Sequence, residues 1–263
     1  MILNLLNNRF NMNVSFTFSR GDMMNKKKIV LFSSIGSFAI LIFIVIFLTV
    51  FLPKINKNKQ WEEQVKQYYE DKIELYEQEN SKYDDYEVDI AFLGDSLTEG
   101  YDVCNYYSEY LVVNRGISGE TTLGLEKRLK VSVYDLKPKI VVMLIGANNM
   151  DEMFTNYENI LLGLKENLPS SEVVLLSLTA MGGKHWGLKN ELAAYSNVKI
   201  KKYAEKYDYY FVDLFTPMYD VNTGQVYDGY TIDGGHFTKL GYDIVTSLVK
   251  PVVIEALNEY CLK

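Results

Sequence analysis

Histidine is nearly absent: the 263-residue chain holds two, His185 and His236. Any mechanism that needs an imidazole base is confined to those positions. Cysteine is as scarce, and Cys104 and Cys261 match no zinc or redox spacing. A disulfide between them is open only in an oxidising compartment. The folded part has no Lys/Arg-rich block, and the net charge is -7, which excludes a nucleic-acid partner because phosphate binding needs a concentrated basic surface. There is no internal repeat. Apolar character is not lacking: 48% hydrophobic and 14% aromatic residues exclude a disordered chain. With about fifty N-terminal residues set aside, the remaining length fits one domain with a substantial core.

Charge is missing altogether from Ile29–Leu52. This run is long enough to cross a bilayer core of about 30 Å with some tilt. A cleaved signal peptide is the alternative, but such peptides have apolar regions of roughly 7–15 residues and a small-residue cleavage site. Pro53-Lys54 follow instead, so a transmembrane helix over 29–52 is expected. Lys26, Lys27 and Lys28 point residues 1–28 to the cytoplasm and the C-terminal part outward, although Lys54, Lys57 and Lys59 flank the other side. Residues 1–22 are Asn-rich and unlike the rest, so a natural start at Met23 or Met24 is expected. Finding peptides from residues 1–20 by mass spectrometry would refute it.

Residues 53–87 are polar, with Trp61, Val65, Tyr68, Tyr69, Ile73 and Tyr76 at helical spacing. They read as a juxtamembrane helical stalk whose stripe packs on the domain, pairs with another copy or touches lipid headgroups. Residues 88–263 then form the main domain. Apolar runs at Val88–Leu93, Tyr110–Asn114, Ile140–Ile145, Glu172–Leu178 and Tyr209–Asp213 read as five strands. Helical stretches fall near 98–109, 121–136, 156–168, 189–207 and 239–260, the last kinked at Pro251. Strands that are apolar throughout and alternate with helices imply an α/β fold with a parallel sheet covered on both faces. Sites in such sheets lie at the carboxyl ends of the strands.

Four segments there carry the chemistry. Gly94-Asp95-Ser96 follows the first strand and sets a hydroxyl at a helix start, where negative charge is favoured. A serine there is also an ordinary cap. Gly116-Ile117-Ser118-Gly119-Glu120-Thr121 follows the second and can turn backbone N–H groups inward; an ordinary turn is the alternative. Gly146-Ala147-Asn148-Asn149 follows the third, with side-chain amides able to donate. Asp233-Gly234-Gly235-His236 can set a carboxylate against Nδ1 of an imidazole, leaving Nε2 free as a base.

Together, in this order, the four segments resemble the signature blocks of the SGNH/GDSL hydrolase family over roughly residues 88–255. The resemblance implies a three-layer α/β/α sandwich with a five-stranded parallel sheet. It implies Ser96 as nucleophile, His236 as general base and Asp233 as the acid that orients it. The backbone N–H groups of Ser96 and Gly119 and the amide of Asn148 would form the oxyanion hole. No metal or organic cofactor is implied. Asn149 departs from the aspartate the family usually carries there, and altered loop support is the expected consequence. The implied activity is hydrolysis of short acyl esters on carbohydrate or lipid. Acyl transfer to a sugar hydroxyl and an inactive binding module are the alternatives.

Three further residues are candidates near the substrate. His185 and Trp186 lie in a glycine-flanked loop after the fourth strand, either touching substrate or merely exposed. Asp95 has a structural hydrogen bond as its simpler role. Asp220 and Asp228 read as solvated turn residues.

Overall fold

The computed structural model describes Phe43 and residues 46–262, with the side chain of His185 outside the description. The expected cytoplasmic segment 1–28 and most of the expected span 29–52 lie outside the described residues. Among the described residues no helix is long and apolar enough to cross a membrane. The chain divides into two compact units, residues 1–65 and 66–263. In the first, Phe47–Phe51 form a π-helical turn with exposed side chains. The long helix α1 is Leu52–Asn80.

The second unit is built on five parallel strands: β1 (Ile90–Gly94), β2 (Val112–Gly116), β3 (Ile140–Leu144), β4 (Glu172–Leu176) and β5 (Tyr210–Val212). Their order is β2-β1-β3-β4-β5, as five parallel strands were expected. The direction of winding reverses between β1 and β3, the place where such sheets open a crevice. Every residue of β1, β3 and β4 is buried. Successive side chains point to opposite faces. Ala91 and Leu93 join a core with Leu125, Ile160, Leu164 and Ile200, whereas Ile90 and Phe92 join one with Leu97, Tyr107, Val249 and Val253. Helices α4 (Thr122–Leu129), α5 (Tyr157–Asn167) and α7 (Asn190–Tyr207) supply the first face, and α9 (Lys239–Leu262) the second. α9 runs through Pro251 without ending.

Between β1 and β2 the expected helix over 98–109 is two four-residue pieces, α2 (Ser96–Glu99) and α3 (Val103–Tyr106). The reason lies in β2. The Asn114 amide donates to the carbonyls of Thr98 and Tyr101 at 2.7 and 3.0 Å, taking acceptors that a continuous helix would use. After β4, the non-strand segment 178–181 is fixed by two buried asparagines of α7. Asn197 pairs with both backbone groups of Leu178, and Asn190 with both of Met181. The short helix α6 (Gly183–Trp186) follows, and α8 (Phe215–Met218) comes after β5.

Of the two residues read as solvated turns, Asp228 is an exposed turn residue, whereas Asp220 belongs to a small hairpin. Tyr219–Asp220 (β6) pairs antiparallel with Gln225–Val226 (β7). Only its tip is a turn: Asp220 accepts the Asn222 N–H at 2.9 Å and the Thr223 hydroxyl at 3.1 Å. Cys104 and Cys261 are both exposed and unpaired.

Candidate active site

Ser96 is the first residue of α2, directly beyond β1. Its predecessor Asp95 caps the helix, accepting the Leu97 N–H on Oδ1 at 3.0 Å. That is the structural hydrogen bond expected of it, but its other oxygen, Oδ2, is buried without a partner. Burial pushes the Asp95 carboxyl up to about 6, against the lowering effects of the Leu97 bond and of nearby His236. An ionised carboxylate with one bare oxygen in a dry setting is costly, so this group keeps its proton into mildly acidic pH.

His236 lies at the end of a turn that shapes itself. Oδ1 of Asp233 accepts the backbone N–H groups of Gly235 and His236 at 2.9 and 2.8 Å, and Oδ2 sits 2.8 Å from His236 Nδ1. The His236 backbone and ring bonds hold the Asp233 carboxyl far below the usual carboxylate range. The carboxylate is therefore an acceptor only, Nδ1–H must donate to it, and Nε2 is left as an acceptor. The Ser96 hydroxyl, 3.0 Å from Nε2, is placed to donate there. The turn depends on Gly234, whose φ is +92° and whose added Cβ would lie 2.1 Å from the Gly182 carbonyl oxygen.

Of the remaining expected residues, Gly119, Asn148 and Trp186 line, with Asp95, Ser96, His236 and the unexpected Ser118, one cavity of about 250 Å³. Leu97, Ala147 and Met181 give it an apolar side. Asn148 donates one amide hydrogen to the Glu120 carbonyl at 2.9 Å, and its second N–H remains for another acceptor. Asn149 turns away and braces the start of α4. It donates to the Thr122 hydroxyl at 2.9 Å and accepts the Thr122 N–H at 3.2 Å. The backbone of His185 belongs to α6, and its side chain lies outside the described residues. Asp220 and Asp228 lie in a separate polar depression with Gln225 and Thr223. Among the described residues no three His, Cys, Asp or Glu side chains gather as a metal-binding group.

Two features escaped sequence reasoning. The first is a buried ion pair under the site, Arg128 to Glu120 at 2.8 Å. Arg128 also donates to the carbonyls of Gly94 and Arg115 at 2.9 Å, tying together the ends of β1 and β2. The second is the Glu99 carboxylate, which gathers Tyr68, Lys72 and Ser118. Both join residues distant in sequence, and no local pattern announces them. Gly116 lets the parts close up, since a Cβ there would lie 2.2 Å from the Glu99 nitrogen.

The profile of the GDSL-like lipase/acylhydrolase family matches residues 92–244, more than half of the chain. Among curated proteins none matches. A GDSL-like lipase from Bacteroides thetaiotaomicron superposes with a TM-score of 0.62 at 27% identity, covering 70% of this chain and 98% of its own. A Bacteroides fragilis protein provisionally assigned as an acylhydrolase does so at 0.62 and 26%, covering 69% and 95%. An acetylxylan esterase from Geobacillus stearothermophilus reaches 0.53 at 21%, covering 64% and 95%, a likeness of fold alone.

Proposed function

Because the chain belongs to the GDSL-like lipase/acylhydrolase family, we propose that it is a serine esterase with Ser96 as nucleophile, His236 as general base and Asp233 as the residue that orients the base. The observation that carries this reading is the unbroken run from Ser96 Oγ through the imidazole to the Asp233 carboxylate, at 3.0 and 2.8 Å.

In this mechanism Ser96 Oγ attacks the ester carbonyl while His236 Nε2 takes its proton. The carbonyl oxygen becomes an oxyanion, met by the N–H groups of Ser96 and Gly119 and by the free N–H of Asn148. Such donors are worth roughly 3–4 kcal/mol each in the transition state. The intermediate collapses, His236 returns the proton to the departing alcohol, and the acyl group stays on Ser96. Water, deprotonated by His236, then releases the acid and restores the serine. His236 and Asp233 are exposed, so water reaches this step freely, which favours hydrolysis over transfer.

The acyl group is short. A cavity of about 250 Å³ lies below the size range of sites for drug-sized ligands, and Leu97, Met181 and Trp186 offer it an apolar wall. Acetyl or a similarly short group on a carbohydrate hydroxyl is the substrate class we favour, with a lipid ester as the competing alcohol. Residues 29–52 anchor the protein in the cell membrane and residues 88–263 face outward, a reading supported by the uncharged run and the lysines before it.

The test is product analysis with the full chain in mild detergent. Acetate released from acetylated xylo-oligosaccharide, with no fatty acid from lysophospholipid, is the expected result. Fatty acid release without acetate would replace this substrate class with lipid.

A further inference from the structure

The loop Ile117–Glu120 carries Gly119 on an exposed stretch outside the sheet. Its ends are fixed: Ile117 is buried and its N–H meets the Gly94 carbonyl at 3.2 Å, while Glu120 pairs with Arg128 and its carbonyl accepts from Asn148. Between them Ser118 and Gly119 are exposed, and exposed loop backbone is ordinarily among the first parts of a protein to open. Here a carboxylate holds that middle. Glu99 Oε2 accepts the Ser118 N–H at 2.8 Å and the Ser118 hydroxyl. The same oxygen accepts the Tyr68 hydroxyl, and Oε1 meets Lys72 Nζ at 2.6 Å. Burial works against ionising Glu99, yet the bonds from Lys72, Ser118 and Tyr68 outweigh it and keep its carboxyl below the usual range. These bonds are therefore charge-assisted, roughly twice as strong as neutral ones.

Tyr68 and Lys72 belong to α1, and the same helix face continues the contact. Tyr76 donates to the Gly116 carbonyl at 2.7 Å, Glu79 pairs with the buried Arg115, and Asn80 accepts from Arg115 at 3.0 Å. Positions 68, 72, 76, 79 and 80 are spaced by three and four residues, the repeat of one helix face. All of them lie outside residues 92–244, the part matched by the family profile. Glu99 is the last residue of α2 and Ser96 the first. The carboxylate that grips Ser118 is thus built on the helix that presents the nucleophile.

We infer that Tyr68 and Lys72 of α1 are positioning residues for the esterase reaction, acting through Glu99 and Ser118 to fix the Gly119 N–H relative to Ser96. The inference rests on the esterase reading, because a displaced Gly119 matters to rate only if its N–H receives an oxyanion. The donor acts in the transition state, so loosening it lowers kcat and leaves KM nearly unchanged. A partly unfolded sample would lower apparent kcat in the same way, so amide exchange confined to the loop makes the distinction.

The experiment pairs kinetics with hydrogen–deuterium exchange on the full chain. Tyr68→Phe/Lys72→Met and Glu99→Ala are compared with wild type and with Lys206→Met, which breaks a surface ion pair with Glu158 far along the chain. The first two are expected to speed amide exchange at 117–120 and to lower kcat on p-nitrophenyl acetate roughly tenfold or more, with KM within about twofold. Lys206→Met changes neither. Unchanged exchange at 117–120 in both variants overturns the inference, as does faster exchange with an unchanged kcat. If wild type turns over no ester, the esterase reading fails by itself, and the exchange result still decides whether α1 holds the loop.

Discussion

Asp233 gives both of its carboxylate oxygens to one residue: Oδ1 takes the backbone N–H of His236 and Oδ2 faces its ring nitrogen, each at 2.8 Å. One bond fixes the turn and the other fixes the imidazole, so both contacts that set the base come from within residues 233–236.

Replacing Asp233 with Asn keeps the shape and reverses the polarity at Nδ1. An amide N–H facing the ring favours the tautomer with its proton on Nε2, which cannot accept from Ser96. The expected loss in kcat is about 10⁴-fold with little change in KM, measured by steady-state ester hydrolysis. The bonds to the ionised carboxylate also stabilise the fold. Because the folded value lies below the unfolded one, that stability is present above the usual carboxylate range and is lost as pH falls through the folded value. Asp233→Asn should therefore reduce the steepness of acid unfolding.

Asp95 has the opposite sign. Folded, it holds its proton up to about pH 6, whereas the unfolded chain releases it near 3.8. Its contribution is fully present below about pH 4 and is lost as pH rises through 6. Asp95→Asn should remove a slope amounting to roughly 3 kcal/mol at most across that window. Urea titrations at pH 4, 5, 6 and 7 read it, and parallel curves for the two proteins would contradict it.

Arg128 is nearly inaccessible and neutralises Glu120 beneath the site. Arg128→Met removes its bonds to the ends of β1 and β2 and leaves a buried carboxylate alone. A loss of about 3–5 kcal/mol is expected, seen as a lower urea midpoint. Adding Glu120→Gln should restore part of it, because the stranded charge is then gone.

Trp186 stands against Gly235 and walls the cavity. Trp186→Ala should admit longer acyl groups. The ratio of kcat/KM for p-nitrophenyl butyrate to that for the acetate is expected to rise about tenfold, the scale of one or two methylenes in an apolar pocket. An unchanged ratio would take Trp186 out of the acyl site.

What could be read in advance follows from how far apart the partners are. Ile140–Leu144 is a short, wholly apolar run between helical stretches, which reads as a doubly covered strand, so sheet and crevice followed from pattern. That Ser96, Gly119 and Asn148 each follow a strand and that Asp233 and His236 share a turn could be read from pattern, whereas the roles proposed for them come from the family resemblance. The break between α2 and α3 was not, since Asn114 in the next strand takes the carbonyls. The β6–β7 hairpin has two residues per strand, too few for any alternation to show. Glu99 was hidden for the same reason as Arg128: its partners Tyr68 and Ser118 lie 31 and 19 residues away.

The most direct test of the central claim is turnover of p-nitrophenyl acetate by the full chain and by Ser96→Ala, with thermal unfolding followed in parallel. Wild type is expected to hydrolyse the ester, and the variant to lose at least about a thousandfold in kcat while unfolding at the same temperature. A Ser96→Ala protein that keeps the wild-type rate would contradict it, as would a folded wild type that leaves the ester intact.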